Sequence, residues 1–378
     1  MHKLVEVNVL IKLTRIVKLM YIFDKSTSKK IIFVFKKTTN ILKMLIVYIN
    51  PGPGWEPITE MVNLATELFD AELMVIDDKP PNFLAKLELF FLKRHKLKNA
   101  ETCLLVFPGP TVLLSLLSVQ NWRKRFSFVA VWVIDSFWVE HIPKIAKLTR
   151  PFDHIFITSE EDVEMWTRSM KTPTTWLAWG SDVLRLGGND LKRTWDLTRI
   201  GRQPPEWDDD DNTKKLCINS NLEFHGRLKG YDTAAKNQEM LMNLYRQTKF
   251  LLAFSNTANP TNYTHPTREY ITARWTDALA CGAIVVGIPP REPSINRLLW
   301  DGATLDLKSV RIDDGLRIIS EAARSWKPQL AAKNHQLALE RLDWRWRFAE
   351  IALVFNESPK RLSDELKVLK KKIAEFKS

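Results

Sequence analysis

Residues 266–288 read P-T-R-E-Y-I-T-A-R-W-T-D-A-L-A-C-G-A-I-V-V-G-I, and they carry the clearest structural signal in the chain. Two acidic residues in it, Glu269 and Asp277, are eight positions apart, and a run of small residues that ends at Gly282 follows them. An apolar, β-branched run over residues 283–286 comes next and ends in a second glycine. The pattern predicts a helix with acids at its entrance, a glycine that stops the helix, and a buried strand.

The same stretch resembles the nucleotide-sugar motif of retaining glycosyltransferases of the GT-B fold, the glycosyl transferases group 1. Their motif has the pattern E-x7-E followed by A-x-A-x-G-x-x-V-V, and here the second acid is Asp rather than Glu. A glycine pair usually follows the first acid in this family, whereas this chain has Tyr270 and Ile271. Because Arg274 precedes the second acid, the sequence is similar to the CgeB-like branch, which is associated with spore-surface glycosylation.

Roles for the two acids follow from this resemblance, which covers roughly residues 150–300. It implies that Glu269 is the catalytic-site acid that hydrogen-bonds the donor sugar, and that Asp277 binds the two hydroxyls of the nucleotide ribose. A carboxylate can accept two hydroxyl hydrogen bonds at once, which suits a vicinal diol. The alternative interpretation is that both acids lie on one solvated helix face, since eight residues turn through two circles and about 80°.

The rest of the chain alternates between strand and helix patterns, and its 378 residues exceed what one hydrophobic core usually serves. The patterns predict strands over residues 44–49, 73–76, 103–107, 128–134, 154–158, 175–177, 195–200, 216–219, 250–254 and 283–286. They predict helices near residues 57–69, 82–98, 111–120, 139–149, 160–170, 232–246, 267–281, 291–299 and 311–326. Such alternation is typical of mostly parallel sheets covered on both faces. Together with the resemblance, it predicts an α/β protein of GT-B architecture, with two Rossmann-like domains facing across a cleft.

Four segments are predicted along the chain, with a break at the glycine pair 187–188. Residues 1–43 are a basic extension that need not belong to the core. Residues 44–182 form an N-terminal acceptor domain, and residues 183–340 form a C-terminal domain that binds the nucleotide sugar. Residues 341–378 are C-terminal helices, and the resemblance implies that the first of them packs back on the N-terminal domain.

The net charge of +12 lies mostly at the two ends of the chain. Residues 1–43 contain ten Lys or Arg and two acids, and residues 357–378 contain seven and four, which leaves a net charge of +1 for the rest. A nucleic-acid groove would place its charge on the folded surface, so nucleic acid is not a predicted partner. The basic ends favour solubility alone or peripheral contact with an anionic membrane, for which residues 1–43 could form a surface helix or be an extension without a role. The expected location is the cytoplasm, because neither a spanning segment nor a signal peptide is recognised.

Candidate residues of the N-terminal domain follow predicted strands, because ligands of parallel sheets bind at the carboxyl ends of the strands. Gly52 and Gly54 would let backbone amides approach a phosphate or an acceptor, although such turns often carry glycine for geometry alone. Asp135 could orient an acceptor hydroxyl or cap the next helix. His141 could be a polar contact in the cleft or a surface histidine.

Basic residues beside glycines follow the first two predicted strands of the C-terminal domain. Arg202 follows Gly201, and Arg227 and Lys229 lie within His225–Gly230. The family has G-R-x-x-x-x-K-G here, and the resemblance implies that such residues neutralise the donor diphosphate as charge develops on the leaving oxygen. Arg202 follows the strand after which the family has this motif, whereas Arg227 and Lys229 are more similar to the motif itself. Both sets therefore stay candidates, and the alternative is that either is a solvated basic turn.

Two further regions of the C-terminal domain bear on the donor site. The polar loop 255–268 contains Thr267, which could bind donor sugar or phosphate, although turn chemistry alone gives such a composition. Arg274 joins the donor-binding candidates through the resemblance. No D-x-D metal motif is evident, and the run Asp208–Asp211 is interpreted as a solvated loop, so no metal site is predicted.

These features predict a glycosyltransferase of hexosyl type that needs no metal. It would move a sugar, with retention, from a nucleotide sugar to an unknown acceptor that is a glycan, a lipid or a protein. The nucleotide sugar is a co-substrate, and no permanently bound cofactor is expected. Three other functions stay open: a sugar-nucleotide epimerase of the same fold, a methyltransferase built on the first strand, and a non-catalytic nucleotide-sugar-binding protein that lacks the glycine pair.

Overall fold

The computed structural model describes residues 6–9, 17–20, 32–34, 42–77, 100–112, 123, 126–146, 152–261 and 264–376. The chain divides into two compact units, Met1–Leu42 and Lys43–Ser378. In the first unit, three short strands pair antiparallel in the order β1 (Glu6–Val9), β2 (Val17–Met20) and β3 (Ile32–Val34). The surface helix considered for residues 1–43 is therefore wrong at the described positions, because these segments are rich in Val and Ile, which favour extended backbone.

The second unit begins with a six-stranded sheet, which forms the N-terminal domain. Its strands lie in the order β5-β4-β6-β7-β8-β9. They are β4 (Leu42–Asn50), β5 (Glu72–Asp77), β6 (Ala100–Phe107), β7 (Phe128–Val133), β8 (His154–Ile157) and β9 (Thr174–Trp176). Helices α1 (Glu56–Phe69), α2 (Ile142–Ala146) and α3 (Val163–Met170) belong to this domain. The helices predicted near residues 82–98 and beyond residue 112 lie outside the described residues.

A five-stranded sheet forms the C-terminal domain, with the strand order β11-β10-β12-β13-β14. The strands are β10 (Trp195–Arg199), β11 (Phe224–His225), β12 (Thr248–Leu252), β13 (Ile284–Gly287) and β14 (Thr304–Asp306), and all their pairings are parallel. Its helices are α4 (Val183–Leu186), α5 (Asp210–Asn219), α6 (Ala234–Arg246), α7 (Ala273–Ala280), α8 (Pro293–Leu298) and α9 (Ile312–Ser325). Every residue of β13 is buried, as a parallel strand covered on both faces requires. Two parallel α/β sheets confirm the predicted GT-B architecture.

One predicted strand and one predicted loop are wrong. Residues 216–219 belong to helix α5, which begins after Asp209, whose carboxylate accepts a hydrogen bond from the backbone of Asn212 at 3.0 Å. The acidic run therefore caps and opens a helix instead of forming a solvated loop, because carboxylates satisfy the free amides and favour the positive end of the helix dipole. The second strand of this domain follows later and is only two residues long.

Helix α10 (Pro328–Arg341) packs on the C-terminal domain, where His335 Nδ1 donates to Ala280 O at 2.7 Å. Helices α11 (Trp344–Val354) and α12 (Lys360–Glu375) return to the N-terminal domain. Aromatic side chains of this return pack edge-on against the N-terminal domain, in the pairs Trp132–Trp344, Phe69–Phe348 and Phe128–Phe355, with ring centroids 5.9, 6.2 and 5.1 Å apart. Such pairs stabilise the packing by about 0.5–1.5 kcal/mol each beyond the area that they bury. None of the described helices is both long and apolar enough to cross a membrane.

The polypeptide crosses between the two domains twice, and the crossings touch each other. Ser181 N donates to Leu342 O at 2.8 Å, and Trp344 N donates to Ser181 O at 3.1 Å. A Cβ atom at Gly180 would lie 2.5 Å from Leu342 O, so only glycine fits at this point. The connection between the domains is therefore one compact hinge that two chain segments share.

Candidate functional site

The strand order of each sheet locates its ligand-binding edge. In the N-terminal sheet the chain changes direction between β4 and β6, and in the C-terminal sheet it changes direction between β10 and β12. Ligands of open α/β sheets bind at such switch points, outside the carboxyl ends of the strands. The loops that follow these four strands contain Gly52, Gly54, Arg202 and the polar segment from Ser255 onward.

Glu269 lies in a loop, because α7 begins only at Ala273. Its Oε1 accepts hydrogen bonds from Ser255 Oγ at 2.5 Å and Thr257 Oγ1 at 2.7 Å, and its Oε2 accepts one from the backbone N–H of Arg291 at 2.8 Å. Burial acts to raise the pKa of Glu269, but these hydrogen bonds outweigh it and hold the pKa below its usual range. Glu269 is thus a fixed, ionised acceptor.

Asp277 occupies the second turn of α7 and is only 3% exposed. Gln238 Nε2 donates to its Oδ2 at 2.8 Å. Burial raises the pKa of Asp277 to about 6, because water no longer stabilises the charged form. A shared solvated helix face for the two acids is therefore wrong, since one acid precedes the helix and the other is buried within it.

The two acids line different cavities at the junction of the domains. Glu269 borders a gap of about 20 Å³, whose other wall includes Phe137 and Trp176 of the N-terminal domain. Asp277 borders a larger cavity of about 150 Å³ between α1 and the C-terminal domain. The smaller gap has room for about one water molecule, so it does not hold a sugar in this arrangement of the domains.

Side chains from both domains close the cleft over Glu269. The rings of Phe137 and Tyr270 stack with centroids 3.9 Å apart and planes 6° apart. His265 Nδ1 accepts from the backbone N–H of Arg268 at 2.9 Å, which leaves Nε2 to donate to Glu140 Oε1 at 2.8 Å. The closed arrangement therefore has both an apolar and a polar contact across the cleft.

Three further polar contacts hold the same closure. Arg268 pairs with the buried Asp162, and Arg297 pairs with Glu160. Ser294 donates to Glu161 through both its backbone N–H and its hydroxyl, at 2.7 and 2.8 Å. The helical turn over residues 160–162 is thus tied to the C-terminal domain at each of its positions.

The structure separates the predicted phosphate ligands. Arg202 Nη1 donates to Thr261 Oγ1 at 2.5 Å, and its carbonyl oxygen accepts from Arg274 Nη1 at 3.0 Å, so both arginines lie beside the switch point. Arg227 Nη2 instead donates to Asp208 Oδ1 at 2.6 Å, next to the buried Arg199. Arg227 is thus part of an ion-pair network with the acidic run.

The other predicted residues occupy the edges of the sheets. Gly52 and Gly54 have φ angles of 106° and 90°, and a Cβ at either position would meet no atom within 4 Å. Burial raises the pKa of Asp135, which follows β7, to about 7. His141 is half-buried beside Trp138, with ring centroids 6.1 Å apart.

Two predicted donor-binding residues, Lys229 and Thr267, are exposed. The structure also adds residues that were not predicted. Ser255 positions Glu269, and its place directly after a predicted strand was a usable signal. Gln238 and Glu60 border the cavity of Asp277 from two helices that are distant in sequence, so no sequence pattern pointed to them.

Comparison with known proteins supports a transferase relationship. Residues 182–352 match a family model described as "Glycosyl transferase-like". No curated protein matches the chain.

Two solved structures are similar at 10% sequence identity. The apo form of the lipopolysaccharide outer core galactosyltransferase WaaB aligns over 78% of this chain and 99% of its own, with a TM-score of 0.39. MurG of Acinetobacter baumannii aligns over 87% and 99%, with a TM-score of 0.35. Both scores are too low to add to the fold assignment, which rests on the two sheets. The CgeB-like branch stays a prediction, and over residues 182–352 the chain is similar to the glycosyl transferase-like family model.

Proposed function

We propose that this protein moves a hexosyl group from a nucleotide sugar to a hydroxyl acceptor, with retention and without a metal ion. The observation that carries the proposal is the ionised, immobilised carboxylate of Glu269 in the cleft between two parallel sheets. A carboxylate offers about four acceptor positions, and the hydrogen bonds to Ser255, Thr257 and Arg291 use three of them. One position of Oε2 is left for a hydroxyl of the donor sugar.

Arg202 and the Glu269 carboxylate are associated with neighbouring strands of the C-terminal sheet. Arg202 follows β10, and Glu269 is bound through Ser255, which follows the neighbouring strand β12. Transfer leaves negative charge on a phosphate oxygen, and a guanidinium stabilises such charge by charge-assisted hydrogen bonds. We therefore place the donor diphosphate at Arg202 and Arg274, and treat Arg227 and Lys229 as the weaker candidates.

One observation favours the opposite stereochemistry. The carboxyl of Asp135 has a pKa of about 7 and lies at the ligand-binding edge of the N-terminal sheet, as a general base for an acceptor hydroxyl would. An inverting transfer needs such a base, whereas we infer retention from the family resemblance. The anomeric configuration of the first product, read by proton NMR, decides between them.

The principal test measures nucleoside diphosphate release from a panel of nucleotide sugars, with and without acceptors. We expect Glu269→Gln to reduce turnover roughly tenfold to a hundredfold, because it weakens a charged hydrogen bond, while free nucleotide still binds. The matched control is Glu239→Gln, which lies on the exposed side of α6 and pairs with Lys236. Equal turnover of both variants would show that Glu269 does not take part in the reaction.

The same assay separates the rival functions. An epimerase would isomerise the donor without any acceptor, and a non-catalytic protein would bind the nucleotide sugar and release nothing. A methyltransferase would leave the nucleotide sugar unbound.

We also propose a cytoplasmic location with peripheral contact to anionic membranes. Helix α12 supports it, since its exposed residues include five basic side chains, Lys360, Arg361, Lys367, Lys370 and Lys371. Each Lys or Arg near an anionic surface contributes about 1 kcal/mol of attraction. Co-sedimentation with phosphatidylserine vesicles at low and high salt tests it.

A further inference from the structure

Aromatic side chains from both domains border the small gap beside Glu269. Phe137 and Trp176 belong to the N-terminal domain, Trp179 to the first crossing between the domains, and Tyr270 to the C-terminal domain. The rings of Phe137 and Tyr270 meet across the cleft, with centroids 3.9 Å apart and planes 6° apart. The glycosyl transferases group 1 usually have a glycine pair after the first acid, so the ring of Tyr270 is a feature of this chain and not of the motif.

Both rings of this pair present a flat face to the cleft, because their planes are nearly parallel and in contact. An opening of the cleft that admits a substrate to Glu269 separates the two faces and exposes them to water. Exposure of apolar surface is unfavourable, so a ligand that covers both faces stabilises the opened arrangement. Carbon atoms in contact lie about 3.5–4.0 Å apart, so ring planes roughly 7–8 Å apart hold one further ring between them.

Hydrogen bonds fix the backbone next to each ring. Directly before Phe137, Ser136 Oγ accepts from two backbone N–H groups that follow β8, at 3.1 and 3.2 Å. Directly before Tyr270, the Glu269 carboxylate accepts the three hydrogen bonds described above. Aromatic rings on a fixed backbone lose little conformational freedom when they bind, which favours the binding of a rigid ring.

Polar side chains border the same gap beside the aromatic ones: Thr158, Ser159, Glu161, Glu269 and Ser294. Ser294 Oγ donates to Glu161 Oε2 across the cleft, so the two groups lose each other when the cleft opens. A pyranose ring has faces of C–H bonds and an edge of hydroxyl groups, which match aromatic faces with polar groups beside them. An alkyl chain would cover the rings but would leave these polar groups buried without partners, which is unfavourable.

We propose that the acceptor is a glycan, and that one of its pyranose rings inserts between Phe137 and Tyr270 when the cleft opens. The inference rests on the proposed function, since it names the acceptor of the same transfer. Phe137 lies two residues after Asp135, at the ligand-binding edge of the N-terminal sheet, whereas Glu269 holds the donor sugar in the proposed function. A ring between Phe137 and Tyr270 therefore lies on the acceptor side of Glu269.

Saturation-transfer NMR tests the inference, because irradiation of aromatic protons marks the ligand protons that lie against them. The probes are the methyl pyranosides of glucose, galactose, mannose and N-acetylglucosamine, with n-octanol as the alkyl probe. We expect the wild-type protein to mark the ring C–H protons of at least one pyranoside. Tyr270→Leu and Phe137→Leu should each weaken its binding roughly threefold to tenfold, as for the loss of one stacked ring face. Tyr270→Phe should bind as the wild type does, since it keeps the face.

The matched control is Tyr231→Leu, because Tyr231 is exposed in the loop before α6 and is not among the residues that border the gap. It should keep the full affinity for the pyranoside. Kinetics separate stacking from a role in domain closure alone. Tyr270→Leu should raise the KM for the glycan acceptor and leave the KM for the nucleotide sugar and its hydrolysis by water unchanged. Equal effects on all three would show that Tyr270 acts only through closure.

Other outcomes contradict definite parts of the inference. If n-octanol binds through Tyr270 and the pyranosides do not, the acceptor carries an alkyl chain and the glycan assignment is wrong. If the nucleotide sugar that the protein turns over displaces the pyranoside, the inserted ring belongs to the donor. If Tyr270→Leu binds pyranosides as the wild type does, or if none binds, the inference fails while turnover of a nucleotide sugar still supports the proposed function. If no nucleotide sugar is consumed, the proposed function fails and the acceptor assignment fails with it, even where pyranoside binding depends on Tyr270.

Discussion

We expect Asp277 to make the protein less stable as the pH rises, and we expect its replacement with asparagine to remove this dependence. In the unfolded chain an aspartate loses its proton near its usual pKa of 3.8, whereas burial in α7 raises the pKa to about 6. Between these values the folded state holds more protons than the unfolded state. Stability therefore falls as the pH rises through this window. A shift of roughly two pKa units corresponds to about 3 kcal/mol. The contribution of Asp277 therefore lowers the free energy of unfolding of the wild-type protein by about this amount between pH 4 and pH 8.

The side chain introduced by Asp277→Asn does not titrate and keeps an oxygen for Gln238. The variant should therefore gain about 3 kcal/mol over the wild type at pH 8 and almost nothing at pH 4. With about 2.1 cal/mol/K of unfolding entropy per residue, the gain corresponds to a melting temperature raised by about 4 °C. Paired calorimetric scans of both proteins from pH 4 to pH 8 measure it, since other titrating groups cancel in the difference. A stability difference that does not change with pH, or a variant less stable than the wild type at pH 8, would show that burial does not raise the pKa of Asp277. We expect the stabilised variant to bind nucleotide more weakly, which is the cost of a functional buried carboxylate.

Two further predictions concern the donor phosphates and the hinge. Arg202→Ala should weaken nucleoside diphosphate binding roughly tenfold to a hundredfold and nucleoside binding little, as titrations with both ligands would show. Arg227→Ala should change neither affinity. The opposite pattern would indicate that Arg227, and not Arg202, binds the phosphates. Gly180→Ala should destabilise the protein by about 1–3 kcal/mol in urea unfolding, because its Cβ would meet the backbone of the second crossing. Gly109→Ala is the matched control, since a Cβ there meets no atom within 4 Å, and equal stability of the two variants would contradict the tight crossing.

Most strands of both sheets could be predicted, because their continuous Val, Ile and Leu runs indicate burial on both faces of a parallel sheet. The short strands β11 and β14 at the edges of the C-terminal sheet were not predicted. The family resemblance depends on strand β13 and on the residues before it, from residue 266 onward. The start of α7 could not be predicted. Asn256 donates to the carbonyl oxygens of His265 and Arg268 at 2.8 and 2.7 Å, so a loop ten residues upstream keeps residues 265–268 out of the helix.

The short apolar run at residues 216–219 shows a different reason for error. Three apolar residues followed by an asparagine fit a strand or a helix equally well, and the cap at Asp209 favours the helix. The ion pairs of Asp208 with Arg199 and Arg227 depend on the same turn of the chain. Glu60 and Asp277 border one cavity because of how the two domains pack, for which the sequence carries no local signal.

The return of α11 to the N-terminal domain also sets an order of assembly during synthesis. Trp132, Phe128 and Phe69 leave the ribosome early, but their aromatic partners in α11 and just after it are made only after the whole C-terminal domain. Domains generally fold as they emerge, from the N-terminus onward. Here the nascent N-terminal domain must wait with an uncovered aromatic surface, so the first domain to be translated is the last to be completed.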